Sequence, residues 1–393
     1  MRRAALGKPF RMGRVRVRPR EAQPRRTEAA ALRVGLVIYG SLEFPSGGFL
    51  YDRMLVESLR QAGDEVQVIS LPWESYGRCM AHNFDRGIRA RLRAWQGDLL
   101  LQDELVHPSL FLQNRGLRQA LSVPLVSIVH HLASSEREGM VCHGAVLLAE
   151  RAYLRSIDGF IFNGEVTRAA VEELRGRPCS AVVAHPAGDR LDGMTGFERE
   201  PPSSRDRPLR VLFIGSLIPR KGLLTLLESL AMSAAEEWVL TVVGSRTADR
   251  AHARRVDRFV RERGLQDRVR MKDHLDDGQL AAELRTHHVL AVPSSYEGFG
   301  IVYLEAMGFG VVPIGSTAGG AAEIIEDGTS GFLVPPGDSR ALAEVIHRLG
   351  SDRDLLASCR RAARRRFLQF PGWARRMAEV REWLHSFVRQ ARN

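Results

Sequence analysis

Short apolar runs alternate with longer segments of helical period along most of the chain. The run 34–39 is followed by a helical pattern through Leu50, Leu55 and Leu59, and then by a second apolar run at 66–69. Two short apolar runs joined by an amphipathic helix are typical of a β-α-β unit with parallel strands. The first part of the chain is therefore predicted to begin with such a unit.

The alternation continues and predicts strands in two successive arrays. The first array comprises 34–39, 66–69, 98–101, 125–129, 159–162 and 181–184, and the second comprises 211–215, 239–243, 269–271, 289–292, 311–314 and 332–334. Residues 197–209 between the arrays are charged and carry three prolines, as is typical of a linker. Two α/β arrays of similar size predict the α/β class, with two doubly wound sheets facing each other across a cleft.

This pattern also predicts the domain organisation. The expected units are a basic mobile arm at 1–30, an N-terminal α/β domain at 31–196, the linker at 197–209, a C-terminal α/β domain at 210–365 and a basic C-terminal helix at 366–393. We expect Pro371-Gly372 to interrupt the helical C-terminal segment and the last helix to pack back toward the N-terminal domain.

The net charge of +11 is concentrated at the two ends of the chain. Residues 1–26 hold ten basic residues against one acid, and residues 360–393 hold ten arginines against two acids. Residues 27–359 are mildly acidic, with 37 basic and 43 acidic residues. Basic ends can lie on an anionic membrane or on nucleic acid, and they are also typical of a solvated arm and a basic surface helix.

Several function classes are disfavoured by patterns that the sequence lacks. The four cysteines are scattered and show neither a disulfide framework nor zinc-ligand spacing. No apolar run reaches the ~18–20 residues of a membrane span, and the basic N-terminus has no apolar segment of a secretory signal. We therefore expect a cytoplasmic protein with at most peripheral contact at the inner membrane surface. No nucleic-acid-binding motif is present, so no specific nucleic acid is predicted.

The segment 293–307 carries the most informative candidate chemistry. A strand ends at Pro293, the loop carries Glu297, and a helix is expected to start near Phe299 or Gly300. Backbone N–H groups at such a start suit a phosphate, and a carboxylate such as Glu305 can accept hydrogen bonds from two sugar hydroxyls. The alternative is that Glu297 is a capping residue and Glu305 a solvated helix residue.

Two cations follow the first strand of the second array. Arg220 and Lys221 precede Gly222 and a predicted helix, which places them at the carboxyl edge of the second sheet. There they could neutralise a diphosphate leaving group as its charge develops. They could equally be surface cations near a helix start.

Further candidates lie at other strand ends. Gly47-Gly48 in the first β–α turn region could let the backbone approach a phosphate, and His130 follows the strand 125–129. A histidine there can hydrogen-bond a sugar hydroxyl or polarise a reacting group, although structural histidines are common. Gly319-Gly320 with Glu323 is interpreted mainly as turn chemistry that supports the site.

Several other catalytic motifs are missing from the sequence. It contains no GxxxxGK[ST] phosphate loop, no GxGxxG fingerprint and no GxSxG elbow. A DxD pair that follows a predicted strand and could hold a divalent metal is also missing. We therefore predict no metal site and no resident cofactor, and we expect protein groups to neutralise phosphate charge.

Taken together, these segments resemble a known family, the retaining family-4 glycosyltransferases of GT-B fold, in which two Rossmann-like domains face each other. The resemblance is strong over residues 208–340, where GSLIPRKG, TVVGS, PSSYEGFGIVYLEAMGFG and GGAAEIIEDGTSGFLVPPGD stand in the family's order. It continues more weakly over residues 33–190 through SGGFLYDR, VPLVSIVHH, GFIFNGEVTR and HPAGD.

The resemblance implies roles for individual residues. Glu297 and Glu305 match the family's E-x7-E signature, which implies that Glu297 contacts the donor sugar and Glu305 the ribose hydroxyls. Lys221 matches the lysine that binds the donor diphosphate, Gly48 the loop glycine beside it, and His130 the histidine that approaches the reaction centre. The implied donor site comprises Gly48, Ser216, Arg220, Lys221, Glu297, Phe299, Gly300, Ile301 and Glu305, and the implied catalytic residues are His130, Glu297, Lys221 and Arg220.

Two positions depart from the family pattern. Ser216 stands where many members have arginine, which places leaving-group stabilisation more heavily on Arg220 and Lys221. Gly164 stands where serine is frequent.

The resemblance implies a metal-independent enzyme that transfers a hexose from a nucleoside diphosphate sugar, carrying UDP or GDP, to an acceptor hydroxyl with retention of anomeric configuration. The N-terminal domain is expected to bind the acceptor, which is left open among a glycan, a lipid-linked molecule and a small molecule of glycan or glycolipid biosynthesis. Two alternatives are a GT-B-fold nucleotide-sugar epimerase, against which the E-x7-E segment argues, and a non-catalytic protein that binds nucleic acid or membrane.

Overall fold

The computed structural model describes residues 30–136, 143–193, 208–232 and 238–392. Residues 31–393 form one compact unit. The predicted arm, apart from residue 30, and most of the predicted linker lie outside the described residues.

The described residues form two six-stranded sheets in which every pair of neighbouring strands is parallel. The strands are β1 Arg33–Tyr39, β2 Glu65–Leu71, β3 Leu99–Asp103, β4 Leu125–Val129, β5 Gly159–Phe162, β6 Ser180–Val183, β7 Leu209–Ile214, β8 Trp238–Val243, β9 Val269–Lys272, β10 Val289–Ala291, β11 Val312–Ser316 and β12 Phe332–Val334. The first sheet has the order β2-β1-β3-β4-β5-β6 and the second has the order β12-β11-β10-β7-β8-β9. The predicted α/β class with two doubly wound sheets is confirmed.

Helices connect the strands and cover the sheets. They are α1 Gly47–Gln61, α2 Tyr76–Ala81, α3 Arg86–Arg93, α4 His107–Leu110, α5 Gln113–Ala120, α6 Ala133–Glu136, α7 His143–Ser156, α8 Glu165–Arg175, α9 Leu223–Ala231, α10 Arg250–Glu262, α11 Asp277–Thr286, α12 Ile301–Gly308, α13 Ala321–Ile324, α14 Ser339–Ser351, α15 Arg353–Gln369 and α16 Trp373–Arg392. Three short 3₁₀ turns lie at His82–Phe84, Glu104–Val106 and Pro219–Lys221.

Burial explains why the strands were recognisable in the sequence. The interior strands β3, β4, β10 and β11 are buried along their whole length, because helices cover both faces of a parallel sheet. Such strands appear as nearly continuous apolar runs. The edge strand β6 is only partly buried. No described helix combines the length and the apolar character that crossing a bilayer requires.

The C-terminal helix α16 lies against the half of the molecule that holds the first sheet. Its Trp373 ring packs edge-on against Tyr51 of α1, with ring centroids 5.8 Å apart. Arg381 Nε lies 2.6 Å from Asp64 Oδ2, and Arg392 pairs with Asp98. Part of the positive charge at the C-terminus is therefore neutralised by acids of the fold.

Candidate active site

The carboxyl ends of the two sheets meet at the loop after β10 and the end of β4. A Cβ added to Gly298 would lie 2.2 Å from the carbonyl oxygen of His130. Only glycine allows the two backbones to approach this closely. Gly298 therefore brings neighbouring Glu297 beside the strand end that carries His130, as the sequence predicted for a cleft lined by both sheets.

Lys221 and Glu297 form an ion pair at this edge of the second sheet. Lys221 Nζ lies 2.6 Å from Glu297 Oε2, to which Ser294 also donates at 3.2 Å. Burial opposes a charge on Glu297, but Lys221 and then Arg220 outweigh it and hold the pKa of the Glu297 carboxyl below its usual range. A carboxylate and an ammonium group are thus fixed together in charged form.

The position of Lys221 follows from the glycines on either side of it. Gly215 ends β7, and a Cβ there would be 3.4 Å from the Lys221 side chain. Gly222 has φ +73°, and a Cβ there would be 2.2 Å from the carbonyl oxygen of Pro293. The lysine side chain therefore lies over the end of β7, with Ser216 on the same loop and partly exposed.

Arg220 is engaged with the backbone of the neighbouring loop. Its Nη1 donates to the carbonyl oxygen of Tyr296 at 3.0 Å, and the backbone N–H of Ser295 donates to the carbonyl oxygen of Arg220 at 2.8 Å. These contacts tie the turn that carries the two cations to the loop that carries Glu297.

Helix α12 begins at Ile301, slightly later than the sequence predicted. Gly300 is its N-cap with φ +95°, a conformation that only glycine adopts without strain. Phe299 is buried, and its ring stacks on His185 with centroids 5.3 Å apart. Ile301 is also largely buried and lies near Gly47, where an added Cβ would be 3.6 Å from its Cδ1.

Glu305 is buried rather than solvated, so the solvated alternative is wrong. The residue is only 1% exposed, and its Oε1 accepts from Arg190 Nε at 2.6 Å. Arg190, from the segment after β6, also pairs with Asp277 at the start of α11. Burial raises the pKa of the Glu305 carboxyl, and the Arg190 guanidinium offsets part of that effect.

On the side of the first sheet, Gly47 and Gly48 are the first two residues of α1 rather than part of the preceding turn. Ser46 caps the helix by accepting from the backbone N–H of Phe49, so the helix starts three residues before Leu50, the first residue of its apolar pattern. A Cβ on Gly48 would lie 3.0 Å from Cδ2 of His130. Gly48 therefore leaves room for the histidine ring.

His130 belongs to a buried cluster with Asp52 and Asp103. Its Nε2 lies 3.2 Å from Asp52 Oδ1. Burial favours neutral imidazole, but pairing with Asp52 outweighs it, so the pKa of His130 is raised. Burial, and then the charge of Asp52, raises the pKa of the Asp103 carboxyl to about 7. One ligand atom from each of the three residues lies within 4.8 Å of the others, a grouping that a metal ion can also use.

Glu323 connects the two halves of the molecule. Its carboxylate accepts from the backbone N–H groups of Glu165 and Val166, each at 3.0 Å, and lies 2.8 Å from His185 Nε2. It thereby caps helix α8 of the other half. A Cβ on Gly164 would be 2.7 Å from Glu323 Oε1, which gives a structural reason for glycine at a position where the family often has serine.

Sequence reasoning missed Asp52, Asp103, Arg190 and His185. Asp52 occupies a fully buried position of an amphipathic helix. A carboxylate on the buried face instead of the polar face is unusual, and this was the one signal that the sequence offered. Asp103 is the last residue of β3, and His185 and Arg190 lie in the segment after β6. His185 begins the segment HPAGD, but the resemblance of that segment did not single out its side chain. Glu323 was noted only as turn chemistry, whereas the structure places its carboxylate across the cleft.

A model of the family "Glycosyl transferases group 1" matches residues 195–366. Among curated proteins, the chain is 27% identical over 344 residues to phosphatidyl-myo-inositol mannosyltransferase of Mycobacterium leprae (strain TN), covering 80% of this chain and 86% of that protein. It is 28% identical over 303 residues to D-inositol 3-phosphate glycosyltransferase of Streptomyces scabiei (strain 87.22), covering 72% and 68%.

Solved structures show the same fold. Sucrose-phosphate synthase from Thermosynechococcus elongatus matches with a TM-score of 0.75 at 22% identity, covering 90% of this chain and 99% of that one. Anabaena HepE in complex with UDP-glucose matches with a TM-score of 0.71 at 19% identity, covering 90% and 100%. Residues 195–366 thus match the group 1 glycosyltransferase family, and the solved structures show that the chain shares the GT-B fold.

Proposed function

We propose that this glycosyltransferase moves a hexose from a UDP- or GDP-sugar to an acceptor hydroxyl with retention of anomeric configuration. The observation that supports this most is that Lys221 and Glu297 lie near His130 and Gly48, where the two sheets face each other. The complex of Anabaena HepE with UDP-glucose supports a nucleotide-sugar donor by analogy of fold.

The donor fits the charges on the side of the second sheet. Lys221 and Arg220 would bind the diphosphate, and backbone N–H groups at the start of α12 would add hydrogen bonds. Glu297 would face the hexose, while Glu305 would accept from the ribose hydroxyls. Because both carboxylates are already paired with cations in the free protein, donor binding would re-pair existing charges rather than bury new ones.

The proposed reaction is a front-face displacement. The bond between the anomeric carbon and the diphosphate oxygen breaks, and the acceptor oxygen bonds to the same face of that carbon. The acceptor proton passes to the leaving diphosphate oxygen. Lys221 and Arg220 would stabilise the charge that develops on the diphosphate, and His130 would hold a sugar hydroxyl in place.

The acceptor would bind on the side of the first sheet. The two curated relatives described above are named for inositol-containing acceptors, which favours a polyol or its phosphate, free or lipid-linked, as a first acceptor class to test. Glycans remain the other class. A peripheral contact with an anionic membrane would serve a lipid-linked acceptor, and the enzyme would then act at the inner face of that membrane.

The function is tested by product analysis. Purified protein is incubated with UDP- and GDP-hexoses and a panel of polyol, polyol-phosphate and glycan acceptors, and products are identified by mass spectrometry and by the anomeric proton coupling in NMR. A product with the donor's anomeric configuration is expected. An inverted product would contradict retention, and an epimerised donor formed without acceptor would establish the epimerase alternative.

Metal independence is tested in the same assay. We expect turnover to be unchanged by excess EDTA, since protein cations take the role of a divalent ion. Loss of turnover that added Mg²⁺ or Mn²⁺ restores would contradict this part of the proposal.

A further inference from the structure

Two buried carboxyl groups lie directly behind His130. Asp52 comes from α1 and Asp103 from the end of β3, and both residues are 0% exposed. Asp52 Oδ1 pairs with His130 Nε2, and Asp103 Oδ1 accepts from the backbone N–H of Leu105. The second oxygen of each, Oδ2, is buried without a hydrogen-bond partner among the described residues. One oxygen of each carboxyl group lies within 4.8 Å of the other group, and two buried carboxylates this close would be very unfavourable if both were ionised.

We propose that Asp103 holds a proton that it shares with Asp52, and that the pair positions His130 and keeps its imidazole charged. A proton between the two carboxyl groups satisfies both unpartnered oxygens with one hydrogen bond. It leaves a single negative charge on the pair, which the imidazolium neutralises. The inference rests on the proposed function only in taking the His130 ring to face the donor sugar.

The protonation state of His130 determines what its other nitrogen can do. Nε2 lies 3.2 Å from Asp52 Oδ1, and because an ionised carboxylate can only accept, Nε2 is expected to be the donor in either state. Nδ1 is an acceptor in neutral imidazole and a donor in imidazolium. A charged His130 therefore donates to a sugar oxygen, whereas a neutral one can only accept. Asp52 and Asp103 are positioning residues in this scheme, because they act through His130.

A shared proton accounts for the cluster better than a metal ion does. Ions that prefer oxygen ligands take about six or more, and zinc sites with three protein ligands keep a fourth position open to water or substrate. The cluster offers three ligand atoms, and both aspartates are completely buried. A proton requires no further ligand.

Other charged or titratable groups near His130 also affect the pH at which its imidazole titrates. Besides the two aspartates they are Tyr51 on α1, whose ring lies edge-on to the imidazole at 5.4 Å, Glu104 after β3, which accepts the His130 backbone N–H, and Glu297 on the facing loop next to Gly298. Asn163 after β5 donates to the His130 carbonyl oxygen. Among the described residues, it is the Asp52 side chain that contacts an imidazole nitrogen, so Asp52 is the residue to change first.

The direct test is NMR titration of the imidazole nitrogens in ¹⁵N-histidine-labelled protein without substrate, with His130→Gln used for assignment. The wild-type signal of His130 should titrate above about pH 6.5, the ordinary value. Asp52→Asn should lower the midpoint by at least about one unit, a tenfold fall in the protonated fraction above the midpoint. Asp103→Asn retains a hydrogen-bond donor toward Asp52 and should leave His130 charged at neutral pH.

A wild-type midpoint at or below the ordinary value, or an Asp52→Asn spectrum like that of the wild type, would overturn the proposal. The proposal would also be overturned if elemental mass spectrometry found one equivalent of metal bound to the purified wild-type protein and none bound to Asp103→Asn. Because these measurements need no substrate, they can fail or succeed independently of the proposed transferase activity.

A kinetic test separates positioning from folding. Asp52→Asn should lower kcat by about tenfold or more and change the donor KM by less than about threefold, with the alkaline limb of the pH profile moved to lower pH. Asp103→Asn should remain within about threefold of the wild type near neutral pH.

Asp98→Asn is the matched control. Asp98 directly precedes β3, the strand that ends with Asp103, and it pairs with Arg392. The pH profile of this control variant should be that of the wild type. Equal losses in all three variants, with unchanged profiles, would contradict the positioning role.

Discussion

The two sides of the cleft hold their charged groups in different ways. On the side of the second sheet, Lys221 and Glu297 pair with each other across neighbouring loops of one half. On the side of the first sheet, His130 is backed by two buried aspartates, and Arg190 reaches over to Glu305 of the opposite half. In the proposed function the second sheet therefore supplies a self-contained anion site, and the first sheet positions groups against that site. The difference explains why changes on one side should affect leaving-group charge and changes on the other should affect alignment and assembly.

The largest effect is expected at Lys221. Lys221→Ala removes the ammonium group that would stabilise the leaving diphosphate, and kcat should fall about 10²–10³-fold. Lys272→Ala is the matched control, because Lys272 also forms an ion pair with a glutamate at the end of a strand of the same sheet, two strands from β7. Steady-state kinetics that leave Lys221→Ala near wild-type turnover would remove the basis for the anion site.

A smaller effect is expected at Glu305, where the two sides join. Glu305→Ala removes the proposed ribose contact, and donor affinity measured by calorimetry should weaken about tenfold, since a lost charged hydrogen bond is worth about 1.5–3 kcal/mol in the absence of compensation. Asp277→Asn is the control. It removes the exposed partner of Arg190 and should change donor affinity little. Equal donor affinity in wild type and Glu305→Ala would contradict the ribose role.

A still smaller effect is expected where Glu323 caps α8. Glu323→Ala should lower the melting temperature by about 1–3 °C, the scale of one lost helix cap in a chain of this size. Gly164→Ser alone should also destabilise, because its Cβ would approach Glu323 Oε1 to 2.7 Å. In the Glu323→Ala background the same substitution supplies a local cap and should stabilise. If the change in melting temperature of the double variant equals the sum of the changes in the two single variants, the two positions are not coupled.

The smallest effect concerns acid stability and Glu297. The pKa of its carboxyl is lowered in the folded protein, so its pairing contributes stability above the unfolded value of about 4.3, and that contribution is lost as pH falls through the lower folded value. The melting-temperature difference between wild type and Glu297→Gln should therefore shrink between about pH 5 and pH 3. A difference that grows on acidification would contradict the charged pair.

The fold was predictable because each sheet is covered on both faces. Buried parallel strands such as β4 and β11 give apolar runs that need no knowledge of their partners. The site on the second sheet was predictable for a related reason, since its residues lie in short contiguous segments, such as 293–307, whose glycines and carboxylates appear together in the sequence. Their placement agrees in position with the resemblance, although their roles stay predictions.

The contributions of the first sheet were not predictable from single positions. Asp52 and Asp103 become meaningful only through their distance to His130, and Arg190 only through its contact with Glu305. Each is one polar residue in an otherwise ordinary helix, strand end or loop. Pairings between residues far apart in sequence depend on the packing of the two halves, which no local pattern encodes.

Calorimetric titration shows whether the cleft binds a nucleoside diphosphate sugar through the cations of the second sheet. A panel of UDP- and GDP-hexoses is titrated into the wild-type protein and into Lys221→Ala and Lys272→Ala. At least one nucleotide sugar is expected to bind the wild type and Lys272→Ala with a stoichiometry near one, and Lys221→Ala should bind it about tenfold or more weakly. Undiminished binding to Lys221→Ala, or no binding of any member of the panel to the wild type, would show that these cations do not form a donor site.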